Sequence, residues 1–279
     1  MTPQAEVPEH QTPRISVVIV SFNRVEQLRE NIQALGADHQ IVVVDNGSRD
    51  GAETLDEEFP QLRFSRLPKN FGLTKALNIG LRSAEGEYIL CLHDDVRITG
   101  EAIAGLADYL ESHADVGAVS PLLISAAGTP VPQVRALPTP GNTDPDLDLP
   151  GPGDEITVEA TSGAAIMFRA FFLRALRHVD ERYGTYGSSI EICQQMRRAA
   201  KKVVILHSVT AIHENPGSPM DQSALDGDRA AGTAAFLGKH HGFMSALIYR
   251  LKTALAALFT FRFSVLTGVI SGQKIDGTG

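Results

Sequence analysis

Tyr88-Ile89-Leu90-Cys91-Leu92-His93-Asp94-Asp95 is an apolar run of strand length that ends in an imidazole and two carboxylates. Consecutive apolar residues without polar alternation describe a strand covered on both faces, as in the interior of a parallel sheet. Two adjacent carboxylates just past such a strand repel each other unless a cation sits between them. A divalent metal holding a diphosphate meets that need, because hard cations prefer oxygen ligands and bridge phosphates readily. A solvated loop or a helix cap would use the same residues, so the tripeptide has to be weighed with the rest of the chain.

Outward from that run the chain repeats one alternation. Ile15-Ser16-Val17-Val18-Ile19-Val20 is a β-branched run of buried-strand type, after which Ser21-Phe22-Asn23 turns into a helix. The apolar positions Val25, Leu28, Ile32 and Leu35 follow helical spacing, and Gly36 stops it. A second buried strand, Gln40 to Val44, ends in Asp45-Asn46-Gly47-Ser48, and Leu62 to Leu67 supplies a third. Thr74 to Ala84 reads as a helix, and Tyr88 to Leu92 is the fourth strand. Strands alternating with helices imply right-handed crossovers and an α/β fold with a mostly parallel sheet. Ligands bind such sheets at the carboxyl ends of the strands. Asn23, Asp45 and Asp95 fall at three such ends, so three strands aim polar groups at one crevice.

Glu101 to Ser112 continues as an amphipathic helix and Val116 to Ile124 as a strand. Residues 126–155 hold many Pro, Gly and Asp without periodicity, which in a compact domain marks a lid or a disordered insertion. Apolar order returns at Ala160 to Arg169, with helices around 170–177 and 189–200, a strand at Val203 to Leu206, and His213 beyond it. The 279 residues are 43% hydrophobic and 21% charged, enough for one sizeable core plus an appendage. A formal net charge of -8 argues against nucleic acid as a partner. Cys91 and Cys193 lack metal-ligand spacing and read as reduced core residues of a cytoplasmic protein. Residues 1–13 read as a disordered tail without the apolar core of a signal peptide.

The ordered set of motifs resembles the inverting glycosyltransferases of family 2, on the GT-A (Rossmann-like) fold, particularly their rhamnosyltransferase-like branch. The resemblance runs from about Arg14 to Ser218, through Val18 to Arg24, Val42 to Ser48, Asn70 to Gly80, Leu92 to Val96, Ser162-Gly163-Ala164, and His213 through Ser218. It implies a catalytic domain over 14–222 and transfer of a hexose from a UDP- or dTDP-linked donor to a glycan or lipid-linked acceptor in cell-surface polysaccharide assembly. It also implies that Ser21, Asn23, Asp45, Asn70, Gly72, Lys75 and Asp94 line the donor side, with Asp45 accepting the imide N–H of a pyrimidine. Asp95 and His213 would ligate Mn2+ or Mg2+, which acts as Lewis acid for the departing nucleotide. His93 stands where the family usually has a carboxylate or Asn. A nucleotidyltransferase would also place carboxylates and a metal on a parallel sheet, but Ser21-Phe22-Asn23-Arg24 lacks the glycines of its phosphate loop.

One departure bears on chemistry. Where the family carries a carboxylate pair at a helix start, its second member the general base, this chain has Ser188-Ser189. A serine oxygen is too weak a base to deprotonate a sugar hydroxyl unaided. Glu191 is the nearest carboxylate, but two positions on a helix rotate it by about 200°. Glu191 therefore stands either as a substitute base or as one half of a structural ion pair, and Ser189 as a helix cap. The alternative function is a sugar-nucleotide-binding or assembly protein with impaired chemistry.

Residues 223–279 differ in character. Phe243 to Ile270 is strongly apolar but interrupted by Arg250, Lys252 and Arg262, leaving runs well short of the roughly 20 residues of a spanning helix. Leu247, Leu251, Leu255 and Leu258 form one stripe flanked by basic residues. Such an amphipathic segment suits peripheral contact with the inner face of the cell membrane, packing on the catalytic domain, or a homo-oligomer interface.

Overall fold

The computed structural model describes residues 13–143, 146–149, 153–213 and 222–272. The expected tail, apart from Pro13, and the motif positions 214–218 lie outside the described residues. The chain runs β1 (Ile15–Ser21), α1 (Val25–Leu35), β2 (Gln40–Asp45), α2 (Leu55–Glu58), β3 (Arg63–Arg66), α3 (Leu73–Ser83) and β4 (Tyr88–His93). It continues with β5 (Val96–Arg97), α4 (Gly100–Ser112), β6 (Val116–Ile124), β7 (Val134–Arg135), β8 (Asp146–Leu147), β9 (Glu155–Val158), β10 (Ala160–Thr161) and β11 (Ala165–Arg169). The remainder is α5 (Ala170–Ala175), α6 (Gly187–Arg198), β12 (Lys202–His213), α7 (Gln222–His241), α8 (Phe243–Phe259) and α9 (Phe263–Ser271).

The main sheet has the order β3-β2-β1-β4-β11-β6-β12-β5, with β9 also paired to β12. Its first four strands are parallel, as is the β6–β12 pair, whereas β11 runs antiparallel to both β4 and β6. The strand order reverses between β1 and β4, and a crevice opens at the carboxyl ends of the strands at such a switch point.

Alternation along the buried strands feeds two faces. Val17, Ile19, Val43, Leu90 and Leu92 pack with Leu28, Ile32 and Leu35 of α1 and Ile103, Leu106 and Leu110 of α4. Val18, Val42, Ile89 and Cys91 face the other way, onto Leu81 of α3 and Ile192, Cys193 and Met196 of α6. Both cysteines are buried and unpaired, and burial pushes their thiols up to about 12.

The 126–155 segment is more ordered than its composition suggests. Its β7 and β8 join β10 in a small second sheet, while β9 joins β12 at the edge of the main one. Two-residue strands are too short to show an alternating pattern, which is why the sequence reads as loop. Strand β12 also outruns its expected end at Leu206, because a register shift between Leu206 and Thr210 breaks the apolar run while the pairing continues to His213.

Candidate active site

A cleft of about 390 Å³ lies over the carboxyl ends of β1 and β4. Ser21, Arg24, Asn46, Asn70, Gly72, His93, Asp94, Asp95, Ser162, Ser189 and His213 line it, with Pro132 and Arg135 from the 126–155 segment and Gln222 and Leu225 from α7.

One wall of the cleft is built by backbone and side-chain amides. Gly47 takes φ +84 and a Cβ there would stand 2.5 Å from the Lys69 carbonyl carbon, so only glycine lets the 69–72 segment lie on the β2 turn. Asn46 then clamps that segment: its amide donates to Asn70 Oδ1 at 2.9 Å and its oxygen accepts from Phe71 N at 2.9 Å. Gly72 adopts φ 83 to start α3 at the cleft wall. Asp45 and Asn23 hold the rim. Asp45 Oδ1 accepts from Ser48 N at 2.9 Å, and Asn23, itself at φ 53, accepts from Arg49 N and donates its backbone N–H to Ser48 Oγ. Asn23, Asp45 and the half-buried Lys75 are not among the side chains lining the cleft.

The carboxylate pair finds its first cation within the chain. Arg24 Nη1 lies 2.8 Å from Asp95 Oδ2 and 3.8 Å from Asp94 Oδ1. The sequence pattern gave no separate sign of Arg24's part, because Arg24 and the Asp pair are about seventy residues apart and meet only through β1–β4 pairing. Asp95 Oδ1 points the other way, 3.3 Å from His213 Nε2 and 3.9 Å from His93 Nδ1. These three ligand atoms fall within 4.8 Å of one another. Burial by itself would raise the Asp95 carboxyl, but His213, His93 and Arg24 together hold it below the ordinary range. For Asp94 burial prevails over Arg24 and the carboxyl is pushed up to about 6.

Buried polar atoms without hydrogen bonds concentrate here. Among the described residues they are Ser21 Oγ, Asp95 Oδ1, Ser162 Oγ, Thr161 Oγ1 and His207 Nε2, and the first three belong to residues that line the cleft. Folded proteins rarely leave such groups unpaired, so the clustering points to a polar ligand. The His93–Asp95–His213 set also fits a divalent transition metal, since imidazole and carboxylate are its usual ligands.

The end of the cleft beside α6 is different. Helix α6 begins at Gly187, so Ser189 lies inside its first turn and does not cap it. The carboxylate at this helix start comes instead from Asp228 of α7, which accepts from Tyr186 N at 3.1 Å. Ser189 faces the cleft, whereas Glu191 is buried behind it. Glu191 accepts from Lys239 Nζ at 2.6 Å and Gln195 at 2.5 Å, and its other oxygen lies 2.8 Å from His240 Nε2. Glu191 is thus one member of a buried ion pair with Lys239 and is not among the residues lining the cleft. Burial would raise its carboxyl, and the bonds from Lys239, His240 and Gln195 outweigh that and lower it. Asp180 is likewise engaged, with Arg182 and Lys239. Among the described residues, Asp94 and Asp95 are the carboxylates that line the cleft.

Glu191→Gln is therefore expected to destabilise the protein by about 3–5 kcal/mol at neutral pH, as removal of one buried ion partner does. A depressed carboxyl contributes stability above its unfolded value, near 4.3, and loses it as pH falls through the folded value. The deficit should accordingly shrink in acid. Urea titrations across pH check this; unchanged stability with collapsed turnover would return Glu191 to the chemistry.

The model for glycosyl transferase family 2 matches residues 16–173. The chain belongs to that family. It is 24% identical over 222 residues to the low-salt glycan biosynthesis hexosyltransferase Agl10 of Haloferax volcanii, covering 76% of this chain and 70% of that one. It is 29% identical over 106 residues to the poly(ribitol-phosphate) beta-N-acetylglucosaminyltransferase TarP of Staphylococcus aureus, covering 34% of this chain and 32% of that one. Among solved structures, the mannosyltransferase PcManGT of Pyrobaculum calidifontis, in complex with GDP-Man and Mn2+, superposes with a TM-score of 0.58 at 17% identity, covering 97% of this chain and 77% of that one. S. aureus TarS 1-349 with UDP-GlcNAc gives 0.60 at 17% identity, covering 89% of this chain and 72% of that one. This glycosyl transferase thus has the GT-A fold, with helices α7 to α9 following the sheet.

Proposed function

We propose that this glycosyl transferase binds a UDP- or dTDP-linked hexose with a divalent metal and transfers it, with inversion, to a glycan or lipid-linked acceptor of cell-surface polysaccharide. The observation that carries the reading is the His93–Asp95–His213 cluster, set beside the buried Ser21 Oγ and Ser162 Oγ, which lack hydrogen bonds, at the carboxyl ends of β1 and β4. The donor base lies against Asn70 and Gly72, with Asp45 and Lys75 at its outer edge, and Asp94 meets the ribose. Ser21 Oγ, buried and unpaired, and Asn23 complete the wall. Arg24 keeps the adjacent carboxylates from repelling each other, which holds Asp95 ready for a ligand. Asp95, His213 and His93 hold the metal, and two imidazoles with one carboxylate suit Mn2+ better than Mg2+. The bound ion supplies Lewis-acid stabilisation of the departing diphosphate.

The acceptor hydroxyl meets Ser189, a group that can hydrogen-bond but cannot take its proton at neutral pH. That favours a second reading, a sugar-nucleotide-binding protein with impaired transfer. Titration calorimetry with UDP, dTDP and GDP, each with and without Mn2+, tests the common part. One nucleotide is expected to bind with an affinity that depends on Mn2+. If none binds, the donor site is wrong in both readings.

A further inference from the structure

We infer that the C-terminal helices dock this protein on an anionic lipid bilayer, lying in its interface without crossing it. Ten of the thirteen exposed large apolar side chains among the described residues fall within 243–270. On α8, Met244, Ile248, Leu251, Leu255, Leu258 and Phe259 are 48–75% exposed. At helical geometry these six fall within an arc of about 100°, so they form one stripe. Phe261, Phe263 and Ile270 extend the apolar surface across the turn and α9. Water-exposed patches of this kind mark an interaction surface. No helix among the described residues is long and apolar enough to cross a membrane, and α8 is 17 residues long.

Charge selects the partner. The chain has 33 acidic residues and a net charge of -8, yet Arg229 to Gly272 contains neither Asp nor Glu. The same stretch holds Arg229, Lys239, Arg250, Lys252 and Arg262, of which Lys239 is bound to Glu191 and Asp180. Arg262 pairs with Asp226 and Arg250 bonds the Val269 carbonyl at the end of α9, while Lys252 is exposed beside the stripe. Among the described residues of α8 and α9 there is no carboxylate to repel anionic headgroups, Asp226 of α7 is paired with Arg262, and each basic residue near such a surface is attracted to it. A symmetric dimer through the same face would set the exposed Lys252 stripe edges against each other, with Asp226 already taken by Arg262.

The hairpin is fixed to the body. Ala230 of α7, Ala257 of α8, and Val265 and Val269 of α9 form a buried cluster, and a Cβ on Gly268 would collide with the Gly227 backbone at 2.4 Å. The first turn of α7 lines the cleft through Gln222 and Leu225, so the docking face lies one helix from it. Docking stands without the transferase reading; its use, presenting a lipid-borne acceptor to the cleft, rests on that reading.

Flotation of the full chain on vesicles of phosphatidylcholine, alone or mixed with phosphatidylglycerol, tests the inference. The protein is expected to float with the mixed vesicles and to do so less as salt rises. Leu251→Glu with Leu255→Glu should lower partitioning by about a hundredfold or more, and Lys252→Glu by about tenfold or more, from the lost apolar burial and the reversed charge. These side chains are exposed, so thermal melting and nucleotide calorimetry of the variants should match the parent. Protein that stays out of both lipid fractions overturns the inference. So does a dimer, seen by light scattering, that the leucine variants convert to monomer while vesicles have no effect.

Discussion

Asp95→Ala is expected to reduce the nucleotide affinity measured in Mn2+ to its metal-free level. The wild-type carboxylate divides its work, with Oδ2 on Arg24 and Oδ1 facing His213 and His93 without a hydrogen bond. Removing it takes away the anionic member of the metal set and the nearer of the two carboxylates beside Arg24. A metal–diphosphate contact contributes several kcal/mol, so a loss of about a hundredfold or more is the expected size. Arg24 sits 13% exposed and would lose its nearest carboxylate, so some loss of thermal stability should accompany the change. Asp95→Asn separates the two effects, since it keeps the shape and one acceptor oxygen while losing the charge. Calorimetry of both variants with and without Mn2+ reads the result. Full Mn2+-dependent affinity in Asp95→Asn would remove the metal from this site.

Ser189→Asp is expected to raise the transfer rate by about 10²–10⁴-fold, the usual worth of a positioned general base. The position is the right one to supply it. Ser189 is in the first turn of α6 and faces the cleft, and a carboxylate there gains from the N-terminal end of the helix dipole. The neighbouring carboxylates cannot substitute, because Glu191 and Asp180 are bound to Lys239 and its neighbours away from the cleft. Space is limited on the Gly163 side, where a Cβ on Gly163 would stand 2.7 Å from Ser189 Cβ. The added carboxylate must therefore extend into the cleft, towards an acceptor. Single-turnover assays with a nucleotide-sugar donor and a glycan acceptor give the rate directly. A parent that already turns over at an ordinary rate, with no gain in the variant, would show that the proton leaves by another route.

Local patterns made much of this protein legible. Consecutive β-branched and apolar residues at Val17 to Val20, Val42 to Val44 and Ile89 to Leu92 require strands covered on both faces, and polar residues at their ends follow from where such strands stop. The order of those motifs was enough to place the chain in its family. The stripe on α8 was also visible, because helical spacing is a local property.

Tertiary structure decided what depends on residues far apart in the chain. Arg24 reaches Asp95 only because β1 pairs with β4, and Arg135 reaches the cleft only because the two-residue β7 is held by β8 and β10. Glu191 was one residue with two readings until α7 brought Lys239 and His240 onto it. Likewise, nothing in the sequence around Gly187 says that Asp228 of α7 supplies the carboxylate at that helix start. A sequence fixes the period and chemistry of each segment; which charges come within hydrogen-bonding distance depends on how those segments pack.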